Sequence, residues 1–229
     1  MSHELRTPLT PIKGYAEIIQ RKDVPRDKLL QFVGGILEST SRLERIVELL
    51  VDFAAMEAGR MAPKSAHVDM TAMLDDLAER WRKRSPAHEV SVEIETGLPD
   101  ALGDERLLRR SLDEVLDNAI KFSPEGGRIR LQAKEVHANG NGSPDMVEVT
   151  IVDEGIGIPP EDLSRIFSDF QQLDGSETRT YGGLGLGLAY VRRIALAHDG
   201  DVRVESEPER GTRLTLVIPA AEQLGPEDD

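Results

Sequence analysis

The sequence predicts an α+β protein in two parts. An antiparallel two-helix hairpin, which closes into a four-helix bundle as a dimer, is followed by an α/β sandwich with a mixed, mostly antiparallel sheet packed on helices. Three patterns carry this. Apolar residues in the first 60 positions fall at heptad spacing in two runs separated by a proline-containing break. After Ala66 that period gives way to strand-like alternation. Blocks of helix and strand then follow one another without the regular β-α-β alternation of a parallel sheet.

Leu5, Leu9, Ile12, Ala16 and Ile19 step by four, three, four and three, a narrow seam on one helix. Pro8 is expected to bend this helix, and Pro11 after it puts Leu9 and Thr10 in a distorted turn. Asp23-Val24-Pro25-Arg26-Asp27 ends the run. A second seam passes through Leu30, Val33, Leu37, Thr40, Ile46, Val47, Leu50 and Phe53, with no proline inside. One hairpin cannot close a core, so two of them pairing is the natural solution. Gly59 and Pro63 then break the chain, and residues 61–65 form a linker between units 1–60 and 66–229. Val90 to Glu95 alternates as a half-buried strand does, and Asp104 caps a helix running to Phe122. Ile129 to Val136 and Val147 to Val152 are strands around the turn-rich run Asn139-Gly140-Asn141-Gly142-Ser143-Pro144. Leu184 to His198 is a helix, and Asp201 to Glu205 and Arg213 to Ile218 form a closing hairpin around Glu209-Arg210-Gly211.

The chain has 229 residues and a formal net charge of −14, which argues against nucleic acid or an anionic membrane surface as a partner. Aromatics are only 4%, so the core must be mostly Leu, Ile, Val and Ala. Cysteine is absent, which excludes disulfide and thiol chemistry and fits a reducing compartment. No apolar run approaches the length of a membrane span, and no signal peptide is expected. The abrupt opening at Met1-Ser2-His3 is expected to be an internal start within a longer protein.

Two glycine clusters point to an anion. Asp153-Glu154-Gly155-Ile156-Gly157 follows a strand, and Gly183-Leu184-Gly185-Leu186-Gly187-Leu188 leads into a helix. Glycine lets backbone N–H groups approach a phosphate, and a helix N-terminus adds its dipole. The plainer alternative is a tight turn and a helix start. Neither cluster is a P-loop or a dinucleotide fingerprint. Glu114, Asn118 and Lys121 are spaced four and three apart and share one helix face. A carboxylate, an amide oxygen and an ammonium there suit Mg²⁺ and phosphates. The alternative is a solvated face, but apolar Leu112, Val115, Leu116, Ala119 and Ile120 occupy the other faces.

In order, the chain carries Ser2-His3-Glu4-Leu5-Arg6-Thr7-Pro8, Leu116-Asp117-Asn118-Ala119-Ile120-Lys121-Phe122-Ser123, Asp153 to Pro159, Ile166-Phe167-Ser168-Asp169-Phe170, and Gly183 to Leu188. These resemble the H, N, G1, F and G2 boxes of the sensor histidine kinases. The resemblance covers nearly the whole chain. It implies a dimerisation and histidine-phosphotransfer hairpin followed by an ATP-binding catalytic domain. ATP and Mg²⁺ are the implied cofactors, a response regulator receiver domain the partner, and a homodimer the assembly. The place is the cytoplasmic side of a membrane-anchored sensor, with the membrane reached only through upstream segments. His3 would be the phosphoryl acceptor, Glu4 would take a proton from one ring nitrogen, and Thr7, one turn on, would place the water that removes phosphate from the receiver. Asp153 would accept from the adenine amino group, and Gly155 and Gly157 beside it would also bind the nucleotide. Asn118 and Glu114 would hold Mg²⁺, and Lys121, Gly183, Gly185 and Gly187 would meet the phosphates. Arg179, in a lid from Phe170 to Gly182, would reach the γ-phosphate, and Thr212 would lie near the adenine.

Two positions depart from the family pattern. Glu114 stands where the family often has Asn, and related gyrase-type ATPases carry there a Glu that activates water. Leu184 stands where Thr is frequent. A gyrase- or chaperone-like ATPase is therefore one rival reading, and a non-catalytic nucleotide-sensing module another. The His-Glu hairpin argues against the first, and intact Asn118, Asp153 and glycines against the second. No Val-Ala-Ile-Lys, His-Arg-Asp or Asp-Phe-Gly set is present, which excludes a eukaryotic-type protein kinase.

Overall fold

The structure, a computed structural model, describes residues 2–21, 23–137, 144–169, 171 and 185–221, with side chains from Leu5 onward. It opens on helix α1 (Ser2–Arg21) and helix α2 (Arg26–Glu57), which lie antiparallel. Tyr15 stacks on Phe32 across the hairpin with ring centroids 5.2 Å apart. Helix α1 runs unbroken through Pro8 and Pro11, so Leu9 and Thr10 belong to the helix and not to the distorted turn expected from the sequence. Each proline deletes a single backbone bond, and the neighbouring bonds carry the helix past it. The Thr10 hydroxyl adds a bond of its own, donating to the Arg6 carbonyl at 3.0 Å.

Strand β1 (Ala66–Val68) pairs antiparallel with β3 (Ala101–Gly103) as a small separate sheet. Between them lie helix α3 (Met70–Arg84) and strand β2 (His88–Ile94). Helix α3 and the pair β1–β3 were not foreseen from the sequence. The signal for α3 was there: Asp69 accepts from the Ala72 N–H as an N-cap, and Met70, Met73, Leu74, Leu77, Ala78 and Trp81 bury one face at helical spacing. Three-residue strands carry too little alternation to stand out.

Helix α4 (Glu105–Lys121) is capped by Asp104 as expected, and strands β4 (Gly127–Val136) and β5 (Met146–Asp153) follow. Helix α5 (Gly187–Ala197) leads into the hairpin of β6 (Asp201–Glu207) and β7 (Gly211–Pro219). Helix α5 starts later than the expected Leu184. Gly185 has φ +66, a left-handed conformation that cannot continue a right-handed helix, and a Cβ there would meet the Gln171 carbonyl at 2.4 Å.

The main sheet has the order β2-β4-β5-β7-β6, with β2 and β4 parallel and every other pair antiparallel. Its two faces differ sharply. Val147, Val149 and Ile151 of β5 and Leu214, Leu216 and Ile218 of β7 point into one core with α3, α4 and α5. Glu148 and Thr150 alternate onto the other face, where Glu148 meets Arg203 at 3.1 Å and Lys134 at 3.3 Å. This is the helix-on-one-face sandwich that the sequence implied. Strand parity then places the chemistry: Asp153 continues Val147, Val149 and Ile151, and Thr212 continues Leu214, so both emerge on the helix side of the sheet.

Candidate nucleotide-binding site

A cleft of about 490 Å³ opens between the sheet and helices α4 and α5, with α2 along one wall. At its inner end Asp153 is only 9% exposed. Its Oδ1 accepts from the Gly155 N–H at 2.9 Å and the Thr212 N–H at 3.1 Å. Burial pushes this carboxyl above the usual carboxylate range, and the two N–H donors oppose that shift. Oδ2 has no protein partner among the described residues, so the cleft offers an incoming group a buried acceptor. Gly157 has φ +70, and a Cβ there would strike the Glu207 carbonyl at 2.0 Å. That close approach is what brings the turn after β5 over the cleft.

Helix α4 supplies the next wall. Its buried face runs through Leu108, Leu112, Val115 and Ala119, so the stripe Glu114, Asn118, Lys121 looks into the cleft. Lys121 lies over the Phe122 ring at 4.7 Å. Burial pushes the Glu114 carboxyl up to about 7, with Asp117 adding to the shift and Arg45 and Arg110 opposing it. Its folded pKa therefore exceeds the ordinary value of 4.5. Stability from this group is complete below that value and is lost as pH rises through about 7. The unliganded chain is expected to lose about 3 kcal/mol at this one group over that interval. Glu114→Gln should remove that loss, so urea melts at about pH 4 and about pH 8 should show wild type and variant diverging chiefly at the higher pH.

Another part of the cleft is formed by the start of α5. Leu186 precedes the helix with no side-chain cap, so the first N–H groups have no side-chain acceptor from that position. A Cβ at Gly187 would come within 2.7 Å of Glu114 Oε2, which shows how closely the α5 terminus and the α4 stripe approach. A helix N-terminus with free N–H groups favours an anion.

The fourth wall comes from the hairpin. Glu38, Arg42, Arg45, Ile46 and Leu49 of α2 fall on one helix face and line the cleft. Leu49 joins the main core, and Phe53 packs with Leu186 and Ala189. Asp52, 8% exposed, accepts from Arg110 at 3.0 Å and from the Tyr190 hydroxyl at 3.3 Å. Arg45 meets Asp117 at 2.8 Å, and Arg193 bridges Glu57 and Asp169 while covering the Phe53 ring at 4.1 Å. The Tyr15–Phe32 stack sets the hairpin register and puts His3 of α1 level with the Arg42–Arg45 turn of α2.

Glu114, Asn118, Lys121, Asp153, Gly157, Gly185, Gly187 and Thr212 thus all line one cleft. Gly155 does not line it but donates to Asp153. Thr7 sits on an exposed part of α1 and does not line the cleft. The side chains of His3 and Glu4, the whole of Gly183 and Arg179, and all of the expected lid except Gln171 lie outside the described residues. Sequence reasoning missed the hairpin wall and also Trp81 and Arg84 of α3, which line the same cleft. The i, i+4, i+7 spacing of Glu38, Arg42 and Arg45 is a legible signal that runs beside the stronger apolar seam of the same helix.

A mixed sheet covered on one face by three helices, with a cleft that joins a buried acceptor to an open helix N-terminus, defines a nucleotide-binding ATPase domain, here carrying a helical hairpin. The pattern of the histidine kinase-, DNA gyrase B-, and HSP90-like ATPase family matches residues 103–222, and that of the His Kinase A (phospho-acceptor) domain matches residues 1–59. The chain belongs to this ATPase family, as a sensor histidine kinase of the two-component type. It is 32% identical over 223 residues to the sensor-like histidine kinase SenX3 of Mycobacterium tuberculosis (strain ATCC 25618 / H37Rv), covering 96% of this chain and 52% of SenX3. It is 30% identical over 239 residues to the sensor histidine kinase WalK of Bacillus subtilis (strain 168), covering 100% of this chain and 37% of WalK. The chain thus spans about half or less of these relatives. Among solved structures, the mycobacterial sensor histidine kinase MprB superposes with a TM-score of 0.57 at 32% identity, over 70% of this chain and 100% of that one. Full-length ShkA in complex with AMPPNP superposes with a TM-score of 0.69 at 30% identity, over 98% of this chain and 46% of ShkA.

Proposed function

We propose that the chain is an ATP-dependent protein-histidine kinase core that phosphorylates its own His3 and passes the phosphoryl group to an aspartate of a receiver domain. One observation carries this reading most directly. The cleft that joins the Asp153 acceptor to the Asn118–Lys121 stripe is closed on its fourth side by the hairpin helix that lies level with His3. Donor and acceptor sites are thereby parts of one compact arrangement. Asp153 Oδ2 would take a hydrogen bond from the adenine amino group, and Lys121 and the α5 N–H groups would hold the phosphates. Asn118 and Glu114 offer the hard oxygen ligands that suit Mg²⁺, which when bound would neutralise phosphate charge. In the transfer, one neutral ring nitrogen of His3 attacks the γ-phosphorus. The bond to the ADP oxygen breaks, and Glu4 takes the proton from the other nitrogen. The chain itself supplies positioning and charge neutralisation. Leu30 and Leu37, each 63% exposed, leave an apolar face on α2 that a second hairpin would cover in a homodimer. No described helix is long and apolar enough to cross a membrane, and we assign this part to the cytoplasmic side of a sensor.

The deciding experiment is incubation with γ-labelled ATP. Label retained on protein, acid-labile and base-stable, supports the kinase. Label released only as inorganic phosphate supports instead an ATPase in which Glu114, titrating near neutrality, activates water. Thr7 carries a further expected outcome. A hydroxyl one turn from His3 can orient a water but cannot accept a phosphoryl group in place of an imidazole. Thr7→Ala should slow receiver dephosphorylation by the equivalent of about 2–4 kcal/mol, roughly ten- to several-hundredfold, while sparing autophosphorylation. Both rates falling together would make Thr7 structural.

A further inference from the structure

The ion pairs between α2 and α4 define an antiparallel register. Arg45 meets Asp117, while Asp52, further along α2, meets Arg110 and Arg106, further back on α4. One turn before Arg45 therefore lies beside one turn after Asp117, and Arg42 comes level with Asn118 and Lys121 in the same cleft wall. The other arginines of the cleft are engaged: Arg45 and Arg84 both meet Asp117, at 2.8 Å and 3.4 Å. Arg42 makes no hydrogen bond or ion pair among the described residues, although Glu38 lies one turn away on its own helix. It is nonetheless half-buried, which costs a guanidinium hydration without a compensating partner. On a chain of net charge −14 such a group is also a local reversal of sign, beside the Asn118–Lys121 stripe proposed above to meet Mg²⁺ and phosphates.

Resting on the kinase reading above, we propose that Arg42 is a nucleotide ligand contributed by the hairpin, its guanidinium contacting the β- or γ-phosphate when α2 is docked against α4. A planar fork of five N–H donors suits phosphate oxygens, and reaching them from α2 makes the triphosphate a bridge between the two parts of the chain. Bound ATP would then hold the hairpin, with His3 at the same level, against the ATP-binding domain. The nucleoside monophosphate, which ends short of this wall, would not.

The test is calorimetric titration of the whole chain with Mg²⁺ and three probes: the β,γ-imido analogue of ATP, ADP and AMP. Wild type, Arg42→Gln and Arg42→Lys are compared. Loss of one charged hydrogen-bond pair should weaken Arg42→Gln for the triphosphate by about ten- to a hundredfold and leave AMP unchanged. Arg42→Lys, which keeps the charge and loses the fork, should fall between. Equal triphosphate affinity in wild type and Arg42→Gln overturns the assignment. Equal loss for triphosphate and AMP also overturns it, since Arg42 would then act through the fold. A wild type that binds none of the three probes overturns the kinase reading together with this one.

Discussion

His3→Gln is expected to abolish acid-labile, base-stable labelling of the chain by γ-labelled ATP while nucleotide affinity stays at the wild-type value. Glutamine has no nucleophilic nitrogen, and as a good helix former it should not disturb α1. The residues that line the cleft come from α2, α3, α4, α5, the sheet and the turn after β5, and His3 is not among them. The other histidines explain why no substitute acceptor is expected. His88 has both ring nitrogens engaged, Nδ1 with the Ser85 hydroxyl at 2.7 Å and Nε2 with the Ser123 carbonyl at 2.8 Å. His198 is held by the Ile194 carbonyl at 2.7 Å and by the Asp104 N–H at 2.9 Å. His67 and His137 face Asp100 and the pair Glu135 and Asp145, and neither lines the cleft. The measurement is scintillation of gel bands after acid and alkali treatment, with calorimetry on the same preparation. Label of the same chemistry persisting on His3→Gln would reject the assignment.

Asp153→Asn is expected to change both the strength and the base preference of nucleotide binding. Oδ1 of Asp153 accepts two backbone N–H bonds, so an asparagine must turn its amide oxygen to Gly155 and Thr212. Its NH₂ then faces the cleft. Against adenine that sets a donor on a donor, and the buried clash together with the lost acceptor should cost about 3 kcal/mol, on the order of a hundredfold in affinity. A purine with a 6-oxo group offers an acceptor at that position. Binding of inosine or guanosine triphosphate should therefore improve relative to ATP in the variant. Competitive titration of wild type and Asp153→Asn with the two purine types measures the ratio. An unchanged ratio would mean that Asp153 does not face the base.

Local chemistry made much of this legible. Asp104 was identifiable as a cap because its side chain need only reach the N–H three residues on, here Leu107 at 3.2 Å. The stripe of Glu114, Asn118 and Lys121 followed from helical spacing, and its burial contrast from the apolar residues beside it. The start of α5 was misplaced because a left-handed glycine is visible only as a permitted option in sequence, and the contact that selects it, with Gln171, is distant along the chain. Helix α3 carries both its cap and its apolar period in the sequence, but it follows directly on the change of period at Ala66, where a strand signal is equally strong.

Strong short-range signals specify the hairpin, the capped helix α4 and the alternating strands, and the ordered motifs mark a sensor histidine kinase. Tertiary structure alone decided which of the polar groups meet. Strand parity brings Asp153 and Thr212 to the helix side of the sheet. The packing of α2 on α4 and α5 then buries Asp52 between Arg110 and Tyr190 and places Arg42 in the cleft wall. Residues 52 and 190 stand 138 positions apart. Periodicity reports only which neighbours share a face. The contact between faces is set by the burial of apolar area across the whole fold, which no local pattern contains.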